Sequence, residues 1–327
     1  MIKRFTFLML FGALNLSLQA ARIYVKADAA GDGTSWATAL GDLQLALAQA
    51  TKGDEVWVSK GVYFPTKEHN RIISFIIKDG VALYGSFAGS ESKIGDRIIE
   101  ANYTVLSGEI GTTQKTDNTF NVLYTAHATE TTIIDGFIIT GGYAGGDEAS
   151  GSRFASGGGL YNDGENLGNE SSPTIRNCQF IENTARDGGA IYNNASNGGK
   201  CKPTIKNCTF RHNNAFLGGG AVFNNGQKAG NCSVNFTANT FTKNTAGFGG
   251  AIFNYGPAGQ CVSQLKNTLF TNNKAMIQGG GIFNLGGAGI SKSMLINCEF
   301  KDNKAPKGST VANSQSPPTK KNKITKL

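Results

Sequence analysis

The chain has 327 residues and a formal net charge of +8, yet only 17% of its residues are charged. It holds 44 glycines, 7 prolines and 31 asparagines, 26 of the asparagines after residue 161; this excludes collagen and Pro-rich disorder and points to many tight turns, because Gly and Asn tolerate positive φ. Lys3, Arg4, Lys320, Lys321, Lys323 and Lys326 lie at the two ends and carry six of the eight net charges, so the body is nearly neutral and makes no electrostatic case for nucleic acid.

Residues 1–20 read as a signal peptide. Lys3 and Arg4 precede the apolar run FTFLMLFGALNLSLQ, and Ala20 and Ala21 follow it. The run is short for a membrane span, no Cys stands at the cleavage point, and no later run is long enough to cross as a helix. Export to the cell surface or beyond is expected, with no transmembrane span. Residues 21–140 read as an N-terminal cap followed by irregular coils. LGDLQLALAQAT (40–51) predicts an amphipathic helix that caps the end of a core. DEVWVSKGVYF (54–64), ISFIIKDGVALYGSF (73–87) and NVLYTA (121–126) predict strands, and TTIIDGFIITGGYA (131–144) a strand pair with a turn.

Residues 141–313 read as regular repeats. NCQFIENTARDGGAIYNN begins at Asn177, NCTFRHNNAFLGGGAVFNN at Asn207, ANTFTKNTAGFGGAIFNY at Ala238, NTLFTNNKAMIQGGGIFNL at Asn267 and NCEFKDNKAPKGSTVANS at Asn297. GGGLYND (157–163) is an earlier, degraded copy, and the worn GSTVANS suits an end coil. Three apolar columns run through the copies. They are Ile175, Ile205, Phe236, Leu265, Leu295; Phe180, Phe210, Phe241, Phe270, Phe300; and Ile191, Val222, Ile252, Ile282, Val311. Three columns predict three short strands per turn, each stacked on its copy in the next.

Asparagine forms three columns as well, each following one predicted strand. The first is Asn177, Asn207, Asn267, Asn297; the second Asn183, Asn213, Asn244, Asn273, Asn303; the third Asn193, Asn224, Asn254, Asn284, Asn313. They predict corners bent through the left-handed region, with amides hydrogen-bonded along the ladder at a spacing of roughly 4.8 Å. Gly188, Gly219, Gly249 and Gly280 are expected to let the chain enter the third strand closely. A propeller blade needs roughly 40 to 45 residues, and Gly and Asn disfavour an α-solenoid. The expected fold is all-β, a right-handed single-stranded parallel β-helix of ~30-residue coils with an N-terminal cap helix.

GGAI (188–191) paired with FIEN (180–183), and again FTKN with GGAI between 241 and 252, resembles the polymorphic outer-membrane protein repeat. RIYVKADAAGDGTSWATAL, GDEVWVSKGVYFPT, LYGSFAGSES, LSGEIG and IIDGFIITGG resemble bacterial parallel β-helix surface proteins of the pectate-lyase-like superfamily. The resemblance covers roughly residues 22–313 and implies an exported surface protein, often an adhesin. Autotransporter members end in a membrane β-barrel, whereas here SQSPPTKKNKITKL (314–327) follows, expected to be a disordered basic tail.

The superfamily's enzymes use clustered carboxylates for calcium, an Arg or Lys base, or a group of Asp for hydrolysis. No catalytic set is legible in the repeats. The acidic insertion, with Asp147, Glu148, Asp163 and Glu165, is the candidate calcium site, set against a solvated loop. Asp117 and Asp135 read as turn and strand-end residues. His69, His127 and His212 are dispersed. Cys178, Cys208, Cys298 and Cys201, Cys232, Cys261 form two columns, read as reduced, packed thiols. The candidate ligand-binding stripe is Tyr161, Tyr192, Phe223, Phe253 and Phe283, which alternates with the Ile/Val column; it lines an outer face if the strand is regular and packs internally if it bends. The expected function is non-enzymatic binding of an extracellular glycan or surface protein, with no resident cofactor. The alternative is a polysaccharide lyase or glycoside hydrolase.

Overall fold

The computed structural model describes residues 20–146 and 149–314; residues 1–19 of the expected signal peptide and the basic tail beyond Ser314 lie outside the described residues. The chain winds into a parallel β-helix whose turns build three long sheets strand by strand. The first sheet runs from Arg22–Val25 through Ala82–Phe87, Ile133–Asp135, Thr174–Arg176, Thr204–Lys206 and Gln260–Lys266 to Ile290–Ile296. The second runs from Gly61–Tyr63 to Glu299–Lys301, and the third from Phe75–Ile77 to Val311–Ser314. Register follows the apolar columns of the sequence: Ile175 pairs with Ile205, Phe180 with Phe210 and Ile191 with Val222, and so on along the axis. These columns fill the core up to the last coil, where Leu295 is exposed and Phe300 and Val311 are half-buried. The Phe180–Phe300 column stacks with centroids 4.6–5.1 Å apart and planes within 7° of parallel. The rung repeat of a parallel sheet is near this distance, so identical rings fall one above another.

The structure departs from three strands per turn. A fourth sheet of five strands begins at Tyr143–Ala144 and continues through Thr184–Asp187, Asn214–Gly218, Thr245–Phe248 and Lys274–Gln278. The segments TARD, NAFLG, TAGF and KAMIQ differ in length and share one alanine, and their pairing shifts register. A signal that thin does not form a visible column.

The corners are also placed differently. Positive φ occurs at Asn177, Asn207, Ala238, Asn267 and Asn297 after the first sheet, and at Glu182, His212, Lys243, Asn272 and Asp302 after the second. Only the first Asn column therefore occupies a left-handed bend. Asn183, Asn213, Asn244, Asn273 and Asn303 sit one residue past the second bend. The Nδ2 of each donates to Oδ1 of the next at 3.1, 3.0, 2.9 and 2.9 Å. Each Oδ1 from Asn213 onward also accepts the preceding asparagine's backbone N–H. Every Nδ2 also reaches a carbonyl one turn back, as Asn213 does to Phe180. The third column, preceded by Asn162, forms a second buried ladder with bonds of 2.7–2.9 Å. Buried amides persist because their donors and acceptors are paired along the axis. The re-entry glycines with positive φ are Gly188, Gly219, Gly249 and Gly279; Gly280, assigned from sequence, is the next residue.

The cap is present as the helix Leu43–Gln49, shorter than residues 40–51. Asp42 caps its start, accepting from the Gln44 and Leu45 N–H groups, and Ala50 leaves helical geometry at ψ 138°. Leu43, Ala46 and Leu47 cover the core end, and Gln44 Nε2 ties the helix to the Pro65 and Ser74 carbonyls at 2.7 and 3.0 Å.

Candidate functional site

The aromatic column does not line an outer face. Tyr161, Tyr192, Phe223, Phe253 and Phe283 are buried in a second apolar cluster, with neighbouring rings 4.8–5.4 Å apart. Strand alternation holds, since the Ile/Val residues face the main core and the aromatics face away from it. What differs is the cover: the fourth sheet and its Gly-rich turn close over the rings. A Cβ on Gly218 would lie 2.1 Å from the Phe253 ring, so the missing side chain is what admits it. Tyr161 Oη donates to the Gly151 carbonyl and accepts from Asn194, and burial pushes the Tyr161 and Tyr192 phenols up. The ligand-binding assignment of this column is corrected on burial: the rings pack on one another, stacked from Tyr161 to Phe223, edge-on at Phe223–Phe253 and tilted at Phe253–Phe283.

Of the acidic insertion, Asp163 and Glu165 are engaged in structural hydrogen bonds. Asp163 accepts from Tyr124 Oη at 3.1 Å and from the Glu165 N–H, and burial raises its carboxyl. Glu165 accepts from Asn194, Ser196 and Asn197. Asp147 and Glu148 lie outside the described residues. Among the described residues no three His, Cys, Asp or Glu side chains converge. All six cysteines are free thiols, five of them buried, and desolvation drives Cys201, Cys208 and Cys232 well above the ordinary thiol range. His212 is exposed at a left-handed corner.

The site the structure does form lies on the outer face of the first sheet, where the irregular coils meet the regular ones. A cleft of about 480 Å³ is floored by Thr174, Arg176, Thr204 and Lys206 and walled by Ile94 and Ile99. Asp135 stands at its inner end, 1% exposed. Its Oδ2 accepts from Arg97 Nη2 at 3.0 Å and from Arg176 Nε at 2.8 Å, and its Oδ1 from Asn177 Nδ2 at 2.8 Å. Arg97 pins the wall to the floor: Nη1 reaches the Gly85 carbonyl, Nε the Ile94 carbonyl, and the guanidinium lies 5.3 Å from the Tyr84 and Phe87 rings. The lining thus sets three cations, Arg97, Arg176 and Lys206, against one carboxylate, which pairs with the two guanidiniums and accepts from Asn177. Arg176 keeps both Nη groups, and Lys206 forms no ion pair among the described residues. The arrangement can receive an anion from solvent. Asp135, read from sequence as a strand end, is its organising residue. The signal that could have found the floor is the position just before the first corner, where Asp135, Arg176 and Lys206 align across three coils.

Fold and cleft define a class: a parallel β-helix with a basic lateral cleft. Three segments of its coils, residues 177–194, 240–255 and 267–285, match the Chlamydia polymorphic membrane protein repeat. Among solved structures, a crystal structure of pectate lyase Pel9A is similar at 13% identity and TM-score 0.43, covering 83% of this chain and 70% of that one. A polygalacturonase from Erwinia carotovora ssp. carotovora is similar at 10% identity and TM-score 0.32, covering 88% of this chain and 95% of that one. A search of curated proteins finds no match. No helix among the described residues is long and apolar enough to cross a membrane.

Proposed function

We propose that this chain is an exported surface protein that binds an extracellular glycan or surface protein along the side of its β-helix without chemically altering it. The observation that carries this reading is the lateral cleft, whose cations are in excess and whose one carboxylate has both oxygens engaged by donors. A carboxylate held by two guanidiniums and an amide braces the wall and floor of a binding site, and among the described lining residues no second carboxylate stands beside it to divide acid and base roles. The repeats of a polymorphic membrane protein family support a surface location.

The test is parallel measurement of binding and reducing-end release by the purified protein against a panel of neutral and uronic-acid polysaccharides, with and without calcium. Retention of at least one polysaccharide without product is expected. Release of reducing ends would replace this reading with a lyase or hydrolase.

A further inference from the structure

Resting on that reading, we propose that the ligand is an anionic glycan, one whose rings carry carboxylate or sulfate, and that its charges sit on a row of cations continuing the cleft along the axis. The row is Arg176, Lys206 and Lys266. Strand register places Arg176 beside Lys206, Lys206 beside Thr237 and Thr237 beside Lys266. At a rung spacing of roughly 4.8 Å the backbone positions of Arg176 and Lys206 are about 5 Å apart, and those of Lys206 and Lys266 about 10 Å.

Three features of this face converge on an extended anion. Lys206 and Lys266 are exposed and have no ion-pair partner among the described residues. The parallel outward column is Thr174, Thr204, Asn235 and Gln264, so neither column brings a carboxylate to the row beyond Asp135. Asp135 holds Arg176 by Nε and thereby presents its two Nη groups outward in a fixed fork, the geometry that receives a carboxylate or sulfate.

The same register favours a glycan over an acidic peptide. Each strand under the row is already paired on both sides, so no edge is open for a peptide to add as a strand. What the face offers is side-chain donors alone, cations beside hydroxyls and amides, which suits a chain of hydroxylated rings with charges at intervals.

The experiment compares binding of dextran, dextran sulfate and carboxymethyl-dextran to the purified protein at two salt concentrations, with polyglutamate as a fourth probe. Lys206→Glu and Lys266→Glu are the variants, both at exposed positions outside the Asp135 network, with unchanged thermal unfolding as the folding control. The expected result is retention of at least one charged dextran and not of dextran itself. Binding should weaken about tenfold in each variant and depend less steeply on salt. Which charged dextran is retained distinguishes carboxylate from sulfate. Equal affinity of both variants for a charged dextran overturns the row, and so does tighter binding of polyglutamate than of either charged dextran. Retention of a neutral polysaccharide alone overturns the anionic assignment and leaves the binding reading standing. Retention of no polysaccharide, neutral or charged, overturns the anionic-glycan assignment and the glycan form of the binding reading, leaving its surface-protein form.

Discussion

At the scale of single residues, the asparagines divide by burial. Asn244 Oδ1 accepts from the Asn213 side chain and backbone, and its Nδ2 donates to Asn273 and to the Phe210 carbonyl. Asn244→Ala leaves these partners dry and unpaired, and urea denaturation should show a loss of roughly 2–4 kcal/mol. Asn207, exposed at a bend with φ 54°, can become Gly with a change of about 0.5 kcal/mol or less. Asp187 behaves in the opposite way to most acidic residues. It is buried, Ser150 donates to one oxygen, and the other has no partner among the described residues; desolvation lifts its carboxyl to about 6. An unfolded Asp titrates near 3.9, so between about pH 4 and pH 6 the folded chain holds a proton the unfolded chain releases. The contribution of this group is fully present below pH 4, declines through that window and stays low above it. Asp187→Asn should flatten the decline and raise stability at pH 7 by up to about 3 kcal/mol, read from denaturation midpoints across pH 4 to 7.

At the scale of elements, the third strand of each turn has two buried faces. Ile191, Val222, Ile252 and Ile282 fill the main core, while Tyr192, Phe223, Phe253 and Phe283 fill the second cluster beneath the fourth sheet. Phe223→Ala and Tyr192→Ala should therefore act as core truncations, each costing about 3–5 kcal/mol in urea denaturation. A surface stripe would tolerate both, so full stability of a Tyr192→Ala/Phe223→Ala double variant would overturn this packing. Three of the four sheets were legible in the sequence, because strong apolar columns recur at near-constant spacing and nearest-neighbour stacking repeats each residue's environment. The fourth was not, since its segments vary in length, only Ala185, Ala215, Ala246 and Ala275 recur in register, and the apolar residues it adds to the second cluster, Leu217, Phe248 and Ile277, form no column.

At the scale of the molecule, the cleft exists because two kinds of coil meet. The upstream coils carry the excursion 88–103, held over an aromatic cluster of Trp57, Tyr84 and Phe87 by Arg97 and by Trp36, whose Nε1 donates to the Glu91 carbonyl. The regular coils then continue the same sheet without that cover, and the step between them leaves the cations of Arg176 and Lys206 open to solvent. A solenoid distributes stability over neighbouring turns, so a step of this kind can be carried on one face without disturbing the core behind it.

The sequence alone determined the winding: the period, the three main apolar columns, the cap helix and the existence of Asn ladders follow from local pattern, because in a parallel β-helix each residue's neighbour is its own copy one turn away. It also held the row of Arg176, Lys206 and Lys266 in one column, though not its significance. Only the tertiary structure decided which faces are covered. The folding of the fourth sheet over the aromatic column, and the docking of Arg97 from an irregular loop onto Asp135, join residues with no periodic relation. Burial on an outer face depends on what packs over it, and that information is absent from the repeat.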